Sequence, residues 1–116
     1  PAAFALTNAI TAGDTPGALR ALEGALRIRG AEFQALGSIA WHLRRALQAQ
    51  QEMIAVGKPN LRMPYDQRNA FIAMLKRRGQ AKLQADMRSL IAADLGMKSG
   101  QNPKSALQEL VMSLCS

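Results

Sequence analysis

Apolar residues recur along this chain at intervals of three and four, and glycine or proline interrupts them at intervals of one helix length. That period belongs to helices that bury one face. No stretch alternates apolar and polar residues as a half-buried strand does. The pattern predicts an all-α bundle of five to six helices. The first runs to about Ala12 and stops at Gly13, a residue suited to a left-handed C-cap. Thr15 and Pro16 then restart a helix, the hydroxyl as N-cap and the proline at the first helical position. Leu19, Leu22, Ala25 and Leu26 form its apolar stripe, Arg20, Glu23 and Arg27 share another face, and Gly30 closes it.

The third helix spans roughly Glu32 to Val56, with Leu36, Ala40, Leu43, Leu47 and Ile54 as its inward stripe. Gly57, Pro59 and Pro64 mark a loop, "GKPNLRMP". A fourth helix follows from about Tyr65 to Arg78 and ends in the basic run "KRRG"; a fifth runs from about Ala81 to Met97, with Gly100 as its stop. Asn102 and Pro103 supply the last helix with an N-cap and a first-turn proline, and Leu107, Leu110, Val111 and Leu114 form its core stripe. Neither a low-complexity tract nor an internal repeat interrupts this order.

Composition agrees with the pattern. The 116 residues, 48% of them hydrophobic, suit a single helical domain over 1–116, and Ala, Leu, Gln and Arg outnumber β-branched residues. No apolar run approaches the roughly 20 residues that span a bilayer, so no membrane association is expected. No basic segment followed by a long apolar one marks a signal peptide. The one cysteine, Cys115, lies in an apolar run and points to a buried thiol and a reducing, cytoplasmic setting. The chain opens with Pro1 inside an apparent helix, and is therefore expected to be a piece of something longer.

Charge adds a question. Fifteen Lys and Arg against eight Asp and Glu leave +7, a balance that suits an acidic partner such as nucleic acid and serves solubility equally well. Arg44 and Arg45 form one cluster and Lys76, Arg77 and Arg78 another. The second sits at a helix C-terminus, where the macrodipole favours cations. Either these residues are a solvated face or they meet phosphates.

Catalytic and cofactor motifs are scarce. The stretch "ADLGMKSG" ends in Lys98, Ser99 and Gly100, which superficially resembles a phosphate loop, but the glycine follows the lysine and a helix precedes it, so the spacing and the context both fail. One His and one Cys, far apart, cannot build a zinc site. His42 is expected on a helix flank without an orienting partner, and Cys115 without a basic activator. Ser89, Ser99 and Ser105 sit in no nucleophile-elbow setting. No enzyme, metal or cofactor is expected.

Two residues break the helical pattern. Trp41 lies about 130° from the third helix's stripe, beside Arg45, which makes the pair either an interface anchor or a second buried contact. Asp94 falls among Leu83, Met87, Leu90 and Met97 on the fifth helix. An unpaired buried carboxylate is very costly, so Asp94 is expected to be a structural tie, bound to Lys98 one turn on or to the free amides of a neighbouring helix, with Gly100 ending the helix beside it.

The order of these pieces is familiar. "AGD…ALRALEGAL", "ALGSIAWHLRRALQA" in the long helix, a proline-bounded loop and the closing "IAADLGMKSGQNPKSALQELVMSLC" together resemble the C-terminal domain of the bacterial DNA polymerase III delta subunit, over essentially all of the chain. Delta belongs to the clamp loader, which opens the ring-shaped sliding clamp and places it on primed DNA in support of a DNA-directed DNA polymerase. The resemblance implies a non-catalytic collar domain that joins the corresponding domains of delta-prime and gamma/tau. ATP hydrolysis would fall to other subunits, and the clamp would be gripped only by an N-terminal part outside this chain. Primed DNA is a possible further partner, with the segment from Lys98 to Lys104 and then Arg44 and Arg45 as candidate contacts. The alternative is a stand-alone basic helical domain that binds nucleic acid.

Overall fold

Five helices and no strand form among residues 2–116, the part of the chain that the computed structural model describes. They are α1 (Ala2–Ala12), α2 (Thr15–Ala25), α3 (Glu32–Val56), α4 (Tyr65–Lys98) and α5 (Pro103–Cys115). The expected fourth and fifth helices are the two arms of α4. They meet at Gly79, whose φ of 74° and ψ of 169° are not helical. A Cβ built there would touch nothing within 4 Å, so the backbone alone demands glycine.

The helix ends are set by local chemistry. Asp14, rather than Thr15, is the N-cap of α2: its carboxylate accepts from the Gly17 amide at 3.0 Å, and Thr15 is the first helical residue. The carboxylate reaches the amide of the third helical residue, as N-cap side chains do. α2 also ends a turn earlier than the expected Gly30, because the Arg27 amide bonds the Gly24 carbonyl in a tightened i→i+3 turn. At the other end of the chain, the Gln101 amide bonds the Gly96 carbonyl at 2.9 Å around Gly100, whose φ is 100°. This is a Schellman C-cap, and the resemblance of "KSG" to a phosphate loop ends there. Asn102 accepts from the Ser105 amide at 3.0 Å and starts α5.

Burial follows two clusters. The larger joins α1, α2, the first half of α3, the second arm of α4 and α5 around Leu22, Ile39 and Leu107. The smaller packs Ala46 and Ala49 of α3 against Phe71, Met74, Leu75 and Leu83 on either side of the Gly79 break. The stripe of α5 is buried as its spacing requires. That of α3 is rotated. Its buried residues are Ala35, Leu36, Ile39, His42, Leu43, Ala46 and Ala49, while Ile54 is 61% exposed and Ala40 and Leu47 are half-buried. The inward direction turns by roughly 80° from the expected stripe of Leu36, Ala40, Leu43, Leu47 and Ile54. Three of the buried positions, Ala35, Ala46 and Ala49, are alanines outside the expected stripe, and Ala46 and Ala49 pack against α4.

Candidate functional site

The rotation of α3 leaves one of its faces uncovered. Phe33, Gly37, Trp41 and Arg45 succeed one another at four-residue steps, so they form a single row along the helix. Phe33 is 51% and Trp41 46% exposed, and Gly37 leaves a notch between them. On one side lies a cleft of about 610 Å³ between α3 and α1, lined by Phe4, Thr7, Gln34, Gly37, Ser38 and Trp41. On the other side a cleft of about 390 Å³ separates α3 from the second arm of α4, where Phe33, Gly37, Arg44, Ile91 and Asp94 reach its walls. Ile91 and Leu95 on that arm are themselves 59% and 64% exposed. Large apolar side chains gathered in this way make an exposed apolar patch, the kind of feature found at interaction surfaces.

Arg45 ends the row in an unusual setting. Its guanidinium carbon lies 4.4 Å from the centre of the Trp41 ring and 4.7 Å from that of Phe71. Phe71 is fully buried and meets His42 edge-on, with ring centres 5.8 Å apart. The Arg45 Nε is buried without a hydrogen-bond acceptor, and among the described residues no carboxylate forms an ion pair with Arg45. Burial lowers its pKa from the usual arginine value. A third cleft of about 250 Å³ opens on Arg45, with Asn8, Thr11, Asp66 and Gln67 on its walls.

His42 lies in the core rather than on a helix flank. It is 1% exposed, its Nδ1 has no partner, and its pKa is lowered to about 4, first by burial and then by the charge of Arg45. The rotated face of α3 carries it inward. Trp41 and Arg45 are therefore brought together, with His42 and Phe71 behind them.

Asp94 is not buried. Its Oδ2 accepts from the Lys98 Nζ at 3.0 Å, with the two side chains 37% and 61% exposed. The pair stays within one turn of α4 and ties no second helix. The buried acid is Asp86, 2% exposed, which Arg78 grips from Nε at 2.7 Å and from Nη2 at 2.8 Å. A signal for it was present: Leu83, Asp86, Leu90, Ala93 and Met97 follow a 3-4-3-4 spacing, so the acid occupies a core position of that arm.

The basic run is largely consumed by architecture. Arg77 donates from Nη2 to the Thr11 carbonyl at 3.0 Å, at the end of α1. Arg78 donates to the Ser116 carbonyl at 2.8 Å and the Ser113 carbonyl at 3.3 Å, at the end of α5. Both arginines cap the C-termini of other helices. Lys104 lies 3.9 Å from Glu23 in an exposed pair, and Arg44 is exposed at the α3–α4 cleft. Cys115 is half-buried, and burial raises its thiol pKa. Among the described residues no group of three or more His, Cys, Asp or Glu is placed to hold a metal ion, and no helix is long and apolar enough to cross a membrane.

Comparison with protein-family models, with curated proteins and with solved structures returns no match to this chain.

Proposed function

We propose that this chain is a non-catalytic assembly domain of the clamp-loader collar type, which holds partner subunits through the outer face of α3. The observation that carries the reading is the row Phe33–Gly37–Trp41–Arg45, with clefts on both flanks and exposed Phe4, Ile91 and Leu95 around it. Aromatic residues and arginine concentrated on one face are what binding hot spots are made of. The partners, delta-prime and gamma/tau, are suggested by the sequence resemblance. Such a domain contributes local concentration rather than chemistry. By keeping the subunits together it would turn ATP-driven movements elsewhere into clamp opening instead of dissociation.

The test is direct assembly. Mixed with the C-terminal helical domains of delta-prime and gamma/tau, the chain is expected to form a complex on size-exclusion chromatography with light scattering. Replacing Trp41 by Ala or Phe33 by Ser should weaken that complex by about tenfold or more. No complex of the unsubstituted chain at tens of micromolar would sink the reading.

Nucleic-acid binding is the second reading, favoured by the exposed cations Arg20, Arg27, Arg29, Lys58, Arg62, Lys82 and Arg88. It requires DNA affinity that falls steeply with salt. The use of Arg77 and Arg78 as helix caps takes two cations away from such a surface.

A further inference from the structure

Two of the clefts beside α3 follow one another. Along α1 the lining residues advance from Phe4 and Thr7 to Asn8 and Thr11; along α3 they advance from Gln34, Gly37 and Trp41 to Arg45. The Trp41–Arg45 stack is where they meet. From Gln34 to Arg45 is 45 − 34 = 11 residues, roughly 16 Å of helix rise, so the groove is about three helical turns long. Its first part is apolar and carries a notch at Gly37. Its far part sets Asn8, Thr11, Asp66 and Gln67 beside Met63 and Phe71, and ends on the arginine.

The state of Arg45 indicates what the far part receives. The Trp41 and Phe71 rings lie 4.4 and 4.7 Å from the guanidinium carbon, and Arg45 as a whole stays partly exposed on the cleft. Nε lacks an acceptor and no carboxylate of the described chain pairs with the group. A planar, partly desolvated fork of this kind matches a carboxylate better than any other side chain. The chain carries a net charge of +7, and the neighbouring Arg44 is exposed on the opposite flank of α3. Asp66 on the cleft wall opposes an incoming anion without neutralising Arg45, since the two form no ion pair.

We propose that the α1–α3 groove receives an acidic amphipathic helix from a partner subunit, with apolar side chains seated against Phe4, Gly37 and Trp41 and a Glu or Asp carboxylate gripped by Arg45. The mode is helix-in-groove recognition, with anchors at i, i+3 or i+4, and i+7. It deepens the assembly reading and rests on it for the identity of the partner.

The chain has one tryptophan, so its fluorescence reports this groove alone. The probe is a stapled helical peptide of about 14 residues, with leucines at i, i+3, i+4 and i+7 and a glutamate one turn further. At low salt it is expected to shift the Trp41 emission and to bind about tenfold more tightly than the same peptide carrying glutamine. Arg45→Gln should abolish that preference, Arg45→Lys should restore it only in part, and Asp66→Asn should enlarge it. Gly37→Leu fills the notch, and since a Cβ there meets nothing within 4 Å it should block both peptides in a chain that still folds. Equal binding of the two peptides, or binding of neither, overturns the proposal. So does a short DNA duplex that shifts Trp41 in an Arg45-dependent way when the peptides do not, because the anion would then be phosphate. Partner domains that bind the parent and Arg45→Gln chains equally would overturn this inference and leave the assembly reading standing. Failure of the partner domains while the glutamate peptide still binds would do the reverse.

Discussion

Arg78 and Asp86 face each other across the break in α4, with Nε to Oδ2 at 2.7 Å and Nη2 to Oδ1 at 2.8 Å, and each side chain no more than 5% exposed. The pair spans Gly79, where the backbone leaves the helical conformation, and so fixes how the two arms lie. The same guanidinium holds the carbonyls of Ser113 and Ser116. One side chain therefore joins both arms of α4 to the end of α5. Breaking a buried pair leaves a charge without compensation, and Asp86→Ala is expected to cost about 3–5 kcal/mol. Arg78→Met should cost at least as much, because it strands the Asp86 carboxylate and frees two carbonyls. Replacing both partners by Met and Leu should recover most of the pair's share and leave the loss of the caps. Urea unfolding of the three variants checks the order.

Asp94 offers the contrast. It too is an acid within hydrogen-bond reach of a cation, but the pair with Lys98 is open to solvent. Exposed pairs one helical turn apart contribute about 0.3–0.5 kcal/mol. Asp94→Ala is expected to move the urea midpoint by no more than that implies. A loss comparable with that of Asp86→Ala would show that Asp94 supports a second helix after all.

The buried imidazole predicts a pH dependence. His42 has a folded-state pKa of about 4, against 6.5 when unfolded, so between those values the unfolded chain takes up a proton that the folded chain refuses. The neutral ring's contribution is complete above pH 6.5 and is lost as the pH falls towards 4. The loss amounts to about 3 kcal/mol over that range. His42→Leu should flatten this part of the stability profile, measured by thermal unfolding at successive pH values. If the profiles of the two chains coincide, His42 is not held neutral.

Glycine substitutions separate backbone need from groove shape. Neither Gly37 nor Gly79 has an atom within 4 Å of an added Cβ. Gly37 is helical, and Gly37→Ala should stabilise the chain by about 1 kcal/mol through helix propensity. Gly79 has φ of 74° and ψ of 169°, and Gly79→Ala should destabilise it by about 1–3 kcal/mol. Calorimetry should show the melting temperature rise for the first variant and fall for the second.

Much of this fold was legible because its signals are local. The bounds of α3 fall at Glu32 and Val56, and Asn102 caps α5, as the spacing of apolar residues and the capping chemistry dictate. Gly79 interrupts α4 where "KRRG" placed a stop. The errors arose where neighbours compete locally or where the partner lies far along the chain. Asp14 and Thr15 are both competent N-caps, and the carboxylate's reach to the Gly17 amide decided between them. The site was less legible. Trp41 and Arg45 stood out as a pair on the polar side of α3, but Phe71, the second ring on Arg45, is 26 positions away (71 − 45) in another helix.

By itself, then, the sequence determined that the chain is helical, where its helices start and stop to within about one turn, and that α5 buries one stripe. Periodicity, caps and glycine stops act between residues within a turn of one another, so they are written in the order of the residues. Tertiary structure decided which side of α3 turns inward, that Asp86 rather than Asp94 is the buried acid, and that Arg77 and Arg78 close the ends of α1 and α5. Those outcomes depend on which surface another helix covers. A carboxylate or a guanidinium becomes a tie, a cap or a binding group only when packing removes its water and supplies, or withholds, a partner.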